Sequence, residues 1–179
     1  MRFSTSLVAV LCTALAFGQE PKPTEKLAPY YPTPETVVER MLKLGGLKPA
    51  EKMFDLGSGD GRIVIMAAGK FKADATGVEF DADLCKESMN SIKAQGLEKR
   101  ARIIHGDIAK QDFSSAALLT VYLLPTSNDK IRPMLEKQLK PGTRIVAHDF
   151  MFQGWTPVKE EHIEDDGEGR SHTLYLYVR

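Results

Sequence analysis

Cysteine is scarce in this chain: two residues in 179, Cys12 and Cys85. Cys12 sits inside an apolar N-terminal run and has no small residue immediately before it, as a lipoprotein signal requires. Removal of that run leaves Cys85 alone, so no internal disulfide holds the mature fold. An excess of charge is missing too. Lys plus Arg and Asp plus Glu number 24 each, for a formal net charge of zero. No broad basic face for nucleic acid follows from that balance, and Lys99-Arg100-Ala101-Arg102 reads as a solvated helix end. The four histidines are scattered without metal-ligand spacing. His162 and His172 only flank an acidic loop, and no metal site is expected. The apolar run at 7–17 is about eleven residues, well short of the roughly twenty that span a bilayer.

That run is the right length for a signal-peptide core behind the positive Arg2. Ala16 and Gly18 supply small residues before a cleavage point at Gln19. Residues 1–18 are therefore expected to export the chain to the periplasm or beyond; the rival expectation is an uncleaved N-terminal anchor tethering it to a membrane. Residues 19–29 form a polar, proline-bearing linker. Residues 30–179 are long enough for one domain with a real core.

What the sequence does contain is Met53-Phe54-Asp55-Leu56-Gly57-Ser58-Gly59-Asp60-Gly61-Arg62, followed by an apolar run of helical length. Two apolar residues lead into a carboxylate and then three alternating glycines. Glycines without Cβ let backbone N–H groups approach a ligand, and the following helix points its positive end at the same place. The spacing G-x-G-x-G differs from the dinucleotide fingerprint G-x-G-x-x-G, and no Gly-Lys-Ser/Thr is present. Asp55 would also repel a pyrophosphate, whereas a cofactor carrying an ammonium and a sulfonium would welcome it. A nicotinamide oxidoreductase is set aside on that spacing.

Hydrophobic periodicity gives an ordered set of elements. Thr33 is a candidate N-cap with Pro34 at the first helical position, and the helix carrying Val37, Val38, Met41, Leu42 and Leu44 stops at Gly45-Gly46. Strands are expected at 52–56, 74–79, 101–105, 118–124, 143–149 and 173–178, with helices at 61–70, 83–95 and 127–139. Strands alternate with helices until the end, where two strands are joined without one. The expected fold is a doubly wound, mostly parallel, Rossmann-like seven-stranded sheet with an antiparallel C-terminal hairpin. Cys85, on a helix after Asp81, reads as a buried small side chain rather than a nucleophile.

Three acids fall at or just past the carboxyl ends of successive strands: Asp55, Glu79 and Asp107. Cofactor sites in open α/β sheets form along that edge. Glu79, about twenty residues past the glycine turn, is placed to accept ribose hydroxyls, and Asp107 to accept from an exocyclic amine.

Asp55 to Gly61, Glu79 and Gly106-Asp107-Ile108 resemble the successive cofactor motifs of class I S-adenosylmethionine-dependent methyltransferases. More narrowly, Tyr31-Pro32-Thr33-Pro34, the run Asp60 to Ile65 and Leu139 to Arg144 resemble a branch of protein-lysine methyltransferases. That branch includes the mitochondrial FAM173-type enzymes and is distantly similar to the Dot1-like histone methyltransferases; exported bacterial proteins look similar too. The resemblance implies S-adenosylmethionine as cofactor. It implies that Asp55, Gly57 and Gly59 lie against the methionine moiety, Glu79 at the ribose, and Asp107 with the Ile108 N–H at the adenine. Tyr31 and Thr33 would fold over the cofactor. Tyr122-Leu123-Leu124-Pro125 departs from the Asn/Asp-Pro-Pro-Tyr/Phe motif of enzymes that methylate amino groups of DNA, rRNA or glutamine. The expected acceptor is a protein lysine or a small amine, with Tyr122 as the catalytic-site candidate. The alternative is a non-catalytic periplasmic module that keeps only a nucleoside pocket.

Overall fold

The computed structural model describes residues 27–179. The expectations for the leader at 1–18 and for most of the linker at 19–29 lie outside the described residues.

Seven strands form one sheet: β1 (Lys52–Leu56), β2 (Asp74–Glu79), β3 (Ala101–His105), β4 (Leu118–Val121), β5 (Arg144–His148), β6 (Lys159–Ile163) and β7 (His172–Val178). Their order is β3-β2-β1-β4-β5-β7-β6. The first five are parallel, and β7 runs antiparallel to both β5 and β6. The expected doubly wound sheet with its terminal hairpin is present. Strand order reverses between β1 and β4, the switch point at which crevices open in such sheets.

Helices cover both faces because the central strands alternate apolar side chains to each. Met53 of β1 packs with α1 (Glu35–Leu44) and α2 (Arg62–Gly69), whose inward residues include Val37, Met41, Val64 and Ala67. Ile92 of α3 (Ala82–Ala94) joins the same layer. Phe54, one residue on, faces the opposite layer, with Phe113 and with Ile131 and Leu135 of α4 (Pro125–Gln138). Each such side chain contributes about 1.5–3 kcal/mol on burial.

Three local expectations are corrected. Thr33 does not cap α1. Pro34 holds that position with no side-chain cap, and the Thr33 hydroxyl instead meets His148 Nδ1 at 3.3 Å. β4 stops at Val121 rather than at 124, because α4 begins at Pro125 and Tyr122 to Leu124 must turn out of the sheet to reach it. No expected segment covers β6. Its Lys159-Glu160-Glu161-His162 is largely solvent-facing on the sheet edge, where charged residues deter edge-to-edge pairing.

Candidate active site

The glycine turn leaves β1 and reverses into α2. Gly57 (φ 82°) donates to the Val78 carbonyl of β2 at 2.9 Å, which pins the turn to the neighbouring strand. Gly59 has φ 53°, and a Cβ there would lie 2.8 Å from the Tyr30 ring. Gly61 (φ 79°) starts α2, and a Cβ there would lie 2.9 Å from Ser88 Cβ. Only glycine satisfies backbone and space together at these positions.

Beside the turn, at the carboxyl edge of the sheet, lies a cleft of about 820 Å³, its open mouth included. Every expected cofactor residue lines it: Tyr31, Thr33, Asp55, Gly57, Gly59, Glu79, Asp107 and Ile108, as does Tyr122. Asp55 is 3 % exposed and accepts a hydrogen bond from Thr120 Oγ1 at 2.7 Å. Burial pushes its carboxyl up to about 7; the Thr120 hydroxyl opposes that shift, and the charges of Glu79 and Asp60 add to it. Among the described residues no lysine or arginine is paired with it.

Glu79 does more than face the cleft. Its Oε1 accepts from the Phe80 and Asp81 N–H groups at 2.9 Å, and its Oε2 accepts from the Gly59 N–H at 2.7 Å. One carboxylate thus fastens the end of β2 to the glycine turn. Asp107 Oδ1 accepts from the Ala109 N–H at 2.8 Å and starts the short 3-10 turn Ile108–Lys110. Cys85 is buried, and desolvation pushes its thiol up to about 11, so it is inert as a nucleophile.

The segment from Leu27 to Thr33 forms one wall. Arg62, paired with Asp60 at 2.6 Å, donates to the Thr33 carbonyl at 2.9 Å. Arg170 donates to Tyr31 Oη and lies 5.7 Å from that ring's centre.

Beyond Tyr122 the structure assembles a polar group that chain order does not reveal. Tyr122 stacks on His148 with ring centres 3.8 Å apart and donates to Asp149 Oδ2 at 3.3 Å. Burial, with the neighbouring Asp149 carboxylate, pushes the phenol up to about 12, so it stays protonated. His148, fully buried, has its pKa drawn down to about 4 by desolvation and stays neutral. His172 Nδ1 lies 2.9 Å from His148 Nε2 and 3.0 Å from Asp149 Oδ2. Chain order puts His148-Asp149 at the end of β5 and gives it no partner. The antiparallel pairing of β5 with β7 brings His172 to it from 24 residues away. The only advance signal is a His-Asp pair at the end of the strand expected at 143–149, together with a histidine just before the one expected at 173–178.

A cation fits one end of this cleft, because Asp55 is a buried carboxylate without a basic partner. A nucleoside fits the rest: acids stand at the next two strand ends, Glu79 and Asp107, and both line the cleft. Sheet order, glycine turn and acid placement together define an S-adenosylmethionine-dependent methyltransferase. The chain belongs to the ANTKMT methyltransferase domain family, whose model matches residues 55–159. It is 43% identical over 151 residues to a protein-lysine N-methyltransferase of Saccharolobus islandicus, covering 84% of this chain and 92% of that one. A human lysine N-methyltransferase, named for an ATP synthase component, is 30% identical over 162 residues, 90% of this chain and 67% of that protein. Among solved structures, an RNA methyltransferase from Salinibacter ruber in complex with S-adenosyl-L-homocysteine superposes with TM-score 0.76 at 40% identity. That match covers 83% of this chain and 93% of the other.

Proposed function

We propose that this enzyme methylates the side-chain amine of a protein lysine, and that Tyr122 receives that amine. The carrying observation is the Tyr122 hydroxyl: it donates to Asp149 Oδ2 and lines the cleft, so its lone pairs face incoming substrate. Bound S-adenosylmethionine supplies a methyl group on a positively charged sulfur. Asp55 is assigned to its cationic end, Gly57 and Gly59 to backbone clearance, Glu79 Oε2 to the ribose, and Asp107 with the Ile108 N–H to the adenine. Tyr31 and Thr33 cover it from the N-terminal wall.

An amine must arrive deprotonated to act as a nucleophile. Leu123 and the Tyr122 ring give it an apolar approach, which favours the neutral form. The phenol, held protonated, accepts a hydrogen bond from the N–H and orients the nitrogen lone pair. A lysine suits this site better than RNA, since the chain carries no net positive charge to offset a phosphate backbone.

The test is transfer of labelled methyl from S-adenosylmethionine to host-cell extract, split into protease-treated and ribonuclease-treated arms, followed by amino-acid analysis. Label recovered as methyl-lysine and lost with protease is expected. Label that survives protease and disappears with ribonuclease refutes the lysine reading. Tyr122→Phe should lower kcat roughly 10- to 100-fold while cofactor affinity, measured by calorimetry, stays within about twofold. We extend the proposal to export through residues 1–18: N-terminal sequencing of the mature protein should read from Gln19, and an intact Met1 in the membrane fraction favours the anchor.

A further inference from the structure

We propose that His148, Asp149 and His172 form a binding site for one divalent transition-metal ion of the zinc class, behind the acceptor wall. Three donor atoms converge there. His148 Nε2 and His172 Nδ1 are 2.9 Å apart, His172 Nδ1 and Asp149 Oδ2 3.0 Å, and His148 Nε2 and Asp149 Oδ2 3.4 Å. A point roughly 2.0–2.1 Å from all three lies just off the plane of this triangle, the distance at which imidazole and carboxylate hold zinc. Two imidazoles and one carboxylate are a donor set that zinc and its neighbours take in preference to calcium or magnesium.

His172 Nε2 faces Asp166 Oδ2 at 3.3 Å, which leaves its Nδ1 for the point where His148 Nε2 and Asp149 Oδ2 also meet.

The surroundings are those of a metal centre. His148 turns its other nitrogen to the Thr33 hydroxyl, and His172 turns its own to the buried Asp166. Asp149 Oδ1 is held by the Thr173 N–H at 2.9 Å, and Asp166 is itself held by Arg170. Such outer partners fix the tautomer and the orientation of ligating side chains. Asp149 also sits at φ 58°, an uncommon conformation for a residue other than glycine, held here at a point of convergence. Three protein ligands leave a fourth position for solvent.

The site stands apart from the acceptor assignment, because its readout is metal binding by the protein alone. Full-length protein stripped with chelator is titrated with Zn²⁺ by calorimetry, and with Co²⁺ by visible absorption. One equivalent of Zn²⁺ should bind, and Co²⁺ should give the intense bands of a four-coordinate site without sulfur ligation. His172→Asn should weaken binding roughly a hundredfold or more. Asp166→Asn, which removes no ligand, should weaken it roughly 10- to 100-fold in protein shown to be folded by circular dichroism. Folded native protein that binds neither ion overturns the proposal. Equal Zn²⁺ affinity in the native protein and the Asp166→Asn variant overturns it as well, and that arm holds even if His172→Asn fails to fold.

Discussion

Replacing Asp55 by Asn is expected to remove at least a hundredfold of affinity for S-adenosylmethionine while making the cofactor-free protein more stable at alkaline pH. Both halves follow from the same burial. A cation brought beside a buried carboxylate is left unpaired when the charge is deleted, which costs about 3–5 kcal/mol. Without that cation the carboxylate is itself the unpaired charge, and its pKa stands near 7 rather than the ordinary 3.8. A carboxyl raised on folding contributes stability that is complete below the unfolded value. It is lost as pH climbs through the folded value, here between about 4 and 7. The ionised form therefore destabilises the empty fold by up to about 4 kcal/mol above neutrality. Thermal melts of native protein and Asp55→Asn across pH 4 to 9 should diverge above neutral pH, with the variant melting higher. Cofactor affinity of the native enzyme should rise with pH to a plateau above 7, and the residual affinity of the variant should not follow it. Calorimetry showing equal affinity in the two folded proteins would remove Asp55 from the site.

Glu79→Ala should lose cofactor binding and stability together. Its carboxylate satisfies three backbone donors, those of Gly59, Phe80 and Asp81. Hydrogen bonds to charged acceptors contribute about 1.5–3 kcal/mol each where water cannot replace them, and the Gly59 bond is the buried one. Truncation should lower the melting temperature by several degrees and release the glycine turn. Glu79→Gln separates the effects. Its amide oxygen can still accept from Phe80 and Asp81, but its NH₂ group then faces the Gly59 N–H. Stability should recover only by the share of the Phe80 and Asp81 bonds, and binding should not recover. If Glu79→Ala melts with the native protein and differs only in affinity, the fastening role is refuted.

The cofactor half of this molecule is legible in the sequence because that half is local. Asp55, the glycines, Glu79 and Asp107 each sit at a strand end defined by a short apolar run, so their places follow once the strands are found. The acceptor half depends on pairings across the chain. Thr33 looks like a cap by its neighbours, yet its hydroxyl is committed to His148, 115 residues away. His148 and His172 share no spacing motif and meet only because β7 inserts between β5 and β6. β6 itself escapes notice because an edge strand of mostly charged residues has no apolar period to detect. Glu79's second task is equally hidden, since bonds to backbone leave no mark on residue type.

The wall made by Leu27 to Thr33 bears on how the molecule comes to be built. It is among the first of the described residues to be synthesised, yet two of its anchors come late: His148 meets Thr33, and Arg170 reaches Tyr31 across 139 positions. Closing loops of that length is slow compared with forming the local strand-helix units. During synthesis the sheet's first strands can associate while the cofactor cleft still lacks a side. Full ligand affinity is thus acquired only once the segment carrying His148 and Arg170 has been made.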